Sequence, residues 1–242
     1  MERSAVNVTA PRMRWQTRNS RAKSGNPMTF NQMRRSYTLR GLLEAEVHAD
    51  PLVQFHQWFD QAVSGDVPSW LEANAMTLST VGSDSRVTNR IVLLKGIDDA
   101  GRFLFFTNYR SAKAQQIEAN PVVALCFFWP HLERQVRICG RAEKTSRAAS
   151  VAYFHSRPRG SQLSTLFSDQ SSPVDSRQSL DQSLQEYEER FAGKEIPCPE
   201  HWGGYATTAD EIEFWQGRDN RLHDRIVYRH VDARWSRSRL AP

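Results

Sequence analysis

Short apolar runs, each bounded by turn-forming residues, recur along the middle of this chain and limit what it can fold into. Residues 75 to 81, 90 to 97, 102 to 107 and 122 to 129 are rich in Val, Ile, Leu and Phe, and clusters of Gly, Asp, Ser or Asn separate them. An alternating segment, Gln135 to Ala142, and runs near 203 to 208, 211 to 216 and 225 to 231 bring the expected strands to eight. Helical periodicity interrupts them. Asp50 and Pro51 form an N-cap and first helical residue, after which Leu52, Phe55, Phe59 and Ala62 share a face until Gly65. Further helices are expected at 111 to 119, 146 to 156 and 176 to 192, the last with Leu180, Leu184, Tyr187 and Phe191 at helical spacing. The pattern predicts a mainly β (α+β) chain, a mostly antiparallel barrel with peripheral helices rather than a doubly wound sheet. No Gly-x-Gly-x-x-Gly or P-loop run and no internal repeat appears, which disfavours Rossmann and P-loop enzymes.

The 242 residues suit a single domain with a sizeable core. The formal charge of +5 is unevenly spread: residues 1 to 40 hold eight Arg and one Lys against one acid, net +8, so the remainder carries net −3. Residues 1 to 27 also lack apolar periodicity, so a disordered basic extension is expected there, ahead of one domain over 28 to 242. Four readings of the extension stand: a nucleic-acid or membrane-surface tail, a dispensable tail, a later natural start at Met28 or Met33, and a transit peptide. The acidic body offers no second basic face, so neither nucleic acid nor membrane is an expected partner. No apolar run approaches the roughly 18 residues of a membrane span, and Cys126, Cys139 and Cys198 have neither metal-ligand spacing nor disulfide density. A cytoplasmic protein with no metal site is expected.

Chemistry-bearing residues gather in four places. Glu213 to Arg225 holds His223, three guanidiniums and Trp215. If extended, this stretch puts Arg221, His223 and Arg225 on one face, suited to an anionic ligand on which a proton must be managed; a solvated edge strand is the alternative. Arg90 and Lys95 bracket an apolar strand, where alternation sets them on opposite faces, so one pocket can hold both only across a bend or strand end. The alternative is two snorkelling cations. Thr107 to Lys113 runs into a helix start, where backbone N–H groups, Ser111 and Lys113 suit a phosphate. Tyr153, Arg157 and Ser161 are spaced by four, with Pro158 expected to end the helix, and suit a phosphate monoester or merely form a polar rim. His155 lies off that face.

Taken together, these segments resemble the pyridoxamine 5'-phosphate oxidase family. The resemblance runs from about Arg34 to Pro242 and is carried by Arg34-Arg-Ser-Tyr37, Arg90-Ile-Val-Leu-Leu-Lys95, Phe106-Thr-Asn108, Glu133-Arg-Gln-Val136, Tyr153-Phe-His-Ser-Arg-Pro-Arg159, Gln170-Ser-Ser172, Glu213-Phe-Trp-Gln-Gly217, Arg221-Leu-His-Asp-Arg225 and Arg239-Leu-Ala-Pro242. It implies an FMN-binding split β-barrel and a homodimer with FMN sites at the subunit interface. It further implies that Arg90, Lys95, Phe106, Thr107, Ser111, Lys113 and Gln135 hold FMN from one subunit, with Gln170, Ser171, Trp215 and Arg225 from the other. The substrate phosphate is then expected on Lys95, Tyr153, Arg157 and Ser161. Arg221 and His223 are the expected catalytic pair flanking the pyridine ring, and Arg34 and Tyr37 close over it.

The implied reaction passes a hydride from C4' of pyridoxamine or pyridoxine 5'-phosphate to the flavin, with O2 as acceptor and H2O2 as product, plus NH3 from the amine. Arg221 stays protonated and orients the amine or hydroxyl, while His223 or solvent takes the proton. Three positions depart from the family pattern: Ala112 replaces an Arg beside Lys113, Leu166 a Trp, and Asp169 a basic residue before Gln170. A non-catalytic FMN or pyridoxal-phosphate binder, and a split-barrel flavin reductase with another substrate, are the competing readings.

Overall fold

The structure is a computed structural model that describes residues 36 to 242. The basic extension and Arg34 lie outside the described residues.

The first element among the described residues is the helix α1 (Pro51–Val63), with the Asp50 side chain accepting from the Leu52 amide and Phe55, Trp58 and Ala62 turned inward. There follow β1 (Ala75–Val81), β2 (Val87–Leu93), the two-residue β3 (Gly96–Ile97), β4 (Phe103–Asn108), α2 (Ala112–Ala119), β5 (Val122–Trp129) and β6 (Arg134–Lys144). Three helices come next, α3 (Arg147–Ser156), α4 (Arg159–Phe167) and α5 (Arg177–Arg190). The chain ends with β7 (Trp202–Gln216), a 3-10 turn at Asp219–Arg221, β8 (Asp224–Val231) and β9 (Arg234–Leu240).

Every strand pairing is antiparallel, in the order β2-β1-β5-β6-β7-β4-β3, with β8 on β7 and β9 on β8. The long β7 organises the sheet. One of its edges pairs with β6 along nearly its whole length; the other pairs with β4 over Trp202–Thr207 and then with β8 over Glu211–Gln216. The sequence predicts two strands here, at 203 to 208 and 211 to 216. A β-bulge opposite Cys139/Gly140 absorbs a register shift and β7 continues as one strand. A Cβ on Gly140 would collide with the Thr208 backbone, so the bulge needs a glycine there.

Alternation sorts the residues of each strand. Val123, Leu125, Phe127 and Trp129 of β5 join Val136, Ile138, Ile212, Phe214, Phe103 and Phe105 in a core that α1 closes with Phe55 and Trp58. Burying one such aromatic ring is worth about 1.5–3 kcal/mol. A second cluster, Phe154, Leu163, Ile196 and Trp202, sits under α3 to α5, where Leu184, Tyr187 and Phe191 pack against it as their spacing predicts. Two elements escape the sequence reading. Pro158 does end α3, but it also caps the N-terminus of α4, where a missing N–H costs nothing. β9, beyond the last expected strand, pairs with β8 from Val231↔Arg234 to Arg225↔Leu240.

Candidate active site

Where β4 runs into α2 and faces α3 and α4, the chain encloses a cavity of about 500 Å³. Lys95, Phe106, Thr107, Lys113, Tyr153, Arg157, Ser161 and Gln170, all singled out from sequence, line it. Two cationic centres occupy it. At the first, the Lys113 ammonium donates to Thr107 Oγ1 (3.2 Å), Ser111 Oγ (3.2 Å) and Gln170 Oε1 (2.8 Å). All its partners are neutral. Burial, and then the charge of Arg90, lower its pKa to about 8. A half-buried cation with hydroxyl and amide neighbours but no carboxylate fits a bound phosphate. Ser111, wholly buried, is the N-cap of α2, so the first amides of that helix point the same way.

The second centre is Arg157, at the C-cap of α3. Its guanidinium donates to Thr165 Oγ1 (2.8 Å) and lies over the Trp202 ring at 4.6 Å, and burial lowers its pKa. Tyr153, one helical turn back, stacks on Phe106 at 3.9 Å between ring centres, and Phe106 stacks on Trp202 at 5.6 Å. Phe106 thus packs beneath Tyr153, and Trp202 beneath Arg157, as one aromatic floor. Lys95 enters from beyond the end of β2, past buried Leu94, and its amide donates to Leu104 O (2.8 Å). That strand end supplies the bend that brings Lys95 into the cavity.

Arg90 stays on the other side. Its Nη1 donates to Thr80 Oγ1 (2.6 Å) and Leu78 O (3.1 Å), and its Nη2 to Thr88 Oγ1 (2.6 Å), so it lies outside the cavity lining and acts on Lys113 through its charge.

Gln170 and Ser171 sit at the first cationic centre of their own chain. The resemblance assigns them to the partner subunit, but here they meet their own chain: Gln170 Oε1 accepts from Thr107 Oγ1 (3.1 Å) as well as Lys113, and Ser171 Oγ accepts from the Ala112 amide (3.2 Å). The cause is local. α4 ends at Phe167, and Asn108 Nδ2 donates to Ser168 O (3.1 Å), turning the following loop back over α2. Asn108, Ser164, Thr165, Ser168 and Trp202 also line the cavity and were not singled out as site residues. The spacing Ser161, Ser164, Thr165 (i, i+3, i+4), which gathers three hydroxyls on one helical face, is the signal that would have found two of them.

Gln135, Trp215 and Arg225 lie on the sheet. Register sets Gln135 beside Trp215 and Trp215 beside Arg225, so the three form one row across β6, β7 and β8, with Phe128 of β5 opposite Gln135. None of these lines the cavity. In the next row Glu213, 3% exposed, accepts from Arg225 through both carboxylate oxygens (2.8 and 3.0 Å) and from Arg137 (3.2 Å). The extended reading of Arg221 to Arg225 is corrected. Asn220 and Arg221 have φ of 56° and 61°, which close a turn, and β8 begins only at Asp224. Arg221 is exposed on that turn. His223 folds back instead: its ring lies 4.6 Å from Trp215 and 5.7 Å from Tyr37, and its Nδ1 accepts from the Arg218 amide (3.1 Å). Tyr37 also meets Trp215 edge-on and lies so close over Gly217 that a Cβ there would strike its ring.

A curled antiparallel sheet with a phosphate-suited cavity at one end and an aromatic and cationic row on its face defines a split-barrel protein of the flavin-binding type. Solved structures agree on the fold. PhzG from Burkholderia lata 383, in complex with tetrahydrophenazine-1-carboxylic acid, superposes with a TM-score of 0.77 at 24% identity over 84% of this chain and 99% of that one. A pyridoxamine 5'-phosphate oxidase-related, FMN binding protein from Nostoc punctiforme gives 0.64 at 19% identity, over 81% and 100%.

Sequence comparison is more specific. Residues 67–191 match the family described as pyridoxamine 5'-phosphate oxidase, and residues 202–242 match the pyridoxine 5'-phosphate oxidase C-terminal dimerisation region. A pyridoxine/pyridoxamine 5'-phosphate oxidase of Rhodopirellula baltica is 53% identical over 89% of this chain and 98% of its own, and one from Pseudomonas putida (strain W619) 54% over 87% and 97%. The chain belongs to the pyridoxine/pyridoxamine 5'-phosphate oxidase family, a family of oxidoreductases. No described helix is long and apolar enough to cross a membrane, and no described cluster of His, Cys, Asp and Glu could hold a metal ion.

Proposed function

We propose that this enzyme oxidises pyridoxamine 5'-phosphate and pyridoxine 5'-phosphate to pyridoxal 5'-phosphate, with FMN as cofactor and O2 as acceptor. The products would be H2O2, plus NH3 from the amine after water adds. One observation carries the reading: a single cavity holds two cationic centres, Lys113 and Arg157, neither paired to an acid. Two phosphorylated ligands side by side need two such centres, whereas a flavin barrel acting on an unphosphorylated substrate needs one.

FMN, when bound, supplies the redox chemistry at its isoalloxazine ring. In this assignment Lys113, Thr107, Ser111, Gln170 and Ser171 hold its phosphate, with Arg90 adding charge from behind. Arg157, Lys95, Tyr153 and Ser161 hold the substrate phosphate and fix the distance of C4' from the cavity mouth. Arg221 orients the amine or hydroxyl on C4' through its guanidinium N–H donors, and His223 accepts the proton released there. Tyr37, already over Trp215 and His223, excludes water from that end.

The row Gln135-Trp215-Arg225 reaches a cavity through a second copy of the chain. Support comes from β5, whose outward residues Val122, Ala124, Cys126 and Phe128 are as apolar as its inward ones, with Val122 and Phe128 45% and 52% exposed. Outward Val87 and Ile91 of β2 extend this surface. A strand apolar on both faces is one that gets covered on both. Three free cysteines support the cytoplasmic setting.

The test is pyridoxal 5'-phosphate formation in air by the purified protein with excess FMN and either phosphorylated substrate. Product that needs both FMN and the substrate phosphate is expected. Equal turnover of the unphosphorylated vitamers, or none of the phosphorylated ones by flavin-loaded protein, would overturn the proposal.

A further inference from the structure

The acid at the centre of the sheet face has no part in the roles assigned so far. Glu213 is 3% exposed and serves two guanidiniums at once: Arg137, directly opposite on β6, and Arg225, diagonally opposite on β8. Such burial is costly for a carboxylate and is tolerated only because the site is shared. The contacts divide unequally. Arg137 gives one bond of 3.2 Å and remains half exposed, whereas Arg225 gives two, Nε to Oε1 (2.8 Å) and Nη2 to Oε2 (3.0 Å), in the planar fork geometry.

The rest of the Arg225 head is held as well, since its Nη1 donates to Ala241 O (2.9 Å) on the tail after β9. A guanidinium carries five N–H donors, and these contacts spend three on the chain itself. The free donors therefore lie on the edge turned away from Glu213. One carboxylate against two guanidiniums also leaves the face with net positive charge, so Glu213 fixes Arg225 without cancelling the field an anionic or electron-rich ligand would meet.

We propose that Glu213 is a positioning residue for the flavin: it clamps Arg225 in the orientation that contacts FMN and makes no contact of its own. The inference rests on the reading of Arg225 as an FMN contact. A residue that acts through another leaves a signature in a double-mutant cycle, because its loss has nothing left to act on once the second residue is gone.

The experiment is FMN affinity of the full-length protein, read by flavin fluorescence, for wild type, Glu213→Gln, Arg225→Ala and the double variant, with apoprotein melting temperature alongside. Glu213→Gln keeps the shape and one acceptor but loses the charge, and is expected to weaken FMN binding ~10-fold, in the range typical of residues that orient a ligand's own contacts. Arg225→Ala is expected to weaken it at least as much, and the double variant no more than Arg225→Ala alone. A purely structural Glu213 would lower the melting temperature and leave FMN affinity unchanged, or would weaken binding further in the Arg225→Ala background; either result overturns the inference and spares the reading of Arg225. Unchanged affinity in Arg225→Ala sinks both. Glu213→Asp, which keeps the charge but retracts it by one methylene, provides the same comparison if Glu213→Gln does not fold.

Discussion

The cavity between α2 and α4 and the open row on β6 to β8 hold equally charged residues in opposite ways. In the cavity, each cation converges with neutral donors and acceptors from distant parts of one chain: Lys113 meets Gln170, and Arg157 meets Thr165 and Trp202. Its guanidinium and ammonium are held without counter-ions, which is how a site for anions is kept ready. On the sheet face, Arg225 is clamped by the Glu213 carboxylate, and Arg221 stands exposed on the turn before β8. The cavity draws its lining from many segments of one chain, whereas the row presents a single sheet face. Under the proposed function the difference separates two tasks: phosphate recognition would be built within one chain, while the chemistry at C4' would need a second copy.

The sharpest way to break that comparison is to keep the second copy away. Phe128→Glu puts a charge on the apolar outward face of β5 and is expected to yield a monomer by sedimentation that has lost essentially all turnover, since burying an unpaired carboxylate costs several kcal/mol. A dimer with normal activity would show that this face is not the one that is covered.

Next come two variants that separate the regions kinetically. Arg221→Ala is expected to lower kcat by roughly 100-fold or more with little change in KM, as for loss of a group acting on the reacting atoms. Arg157→Ala should do the reverse, raising KM for the phosphorylated substrates by roughly 10- to 100-fold, the value of one or two charge-assisted hydrogen bonds. If both variants shift the same parameter, the division between holding and chemistry is wrong.

The titration of Lys113 gives a smaller effect of defined sign. Its pKa is lowered from the ordinary 10.5 to about 8 by burial and by Arg90. FMN affinity should therefore fall as pH rises through about 8, by up to ~10-fold for each pH unit above it, because only the ammonium form assists a phosphate. Apoprotein stability should move the other way: the unfolded lysine binds its proton more tightly, so the charge penalty of folding is relieved as pH rises from about 8 to 10.5. An FMN affinity flat across that window would show that Lys113 does not hold the phosphate. The mildest change is Ala112→Arg, which restores a cation beside Lys113 and is expected to tighten FMN binding by about 10-fold, a single charged hydrogen bond. No gain would mean that Ala112, whose amide bonds Ser171, points its side chain away from the phosphate.

Much of this was legible in advance, and the exceptions have particular causes. The inward face of β5 follows from alternation, and Tyr153 with Arg157 from helical spacing. The run Arg221-Leu-His-Asp-Arg225 shows the limit: read as a strand it puts three side chains on one face, but positive φ at Asn220 and Arg221 breaks the alternation and sends His223 to Trp215 instead. The Gln170-Ser171 loop shows another, since nothing local says that Asn108, 60 residues earlier, will tie Ser168 back onto its own chain.

By itself the sequence determined what depends on near neighbours along the chain: the strands, the face each residue takes, the helix caps, and the kinds of side chain available to hold phosphates. Tertiary structure alone decided what depends on residues far apart. It merged two expected strands into β7, placed Lys95 with Arg157 while leaving Arg90 behind Lys113, and set Glu213 between Arg137 and Arg225. Periodicity reports a direction relative to the backbone, whereas a site requires several backbones to converge, and that convergence is fixed by strand register and by burial of the core.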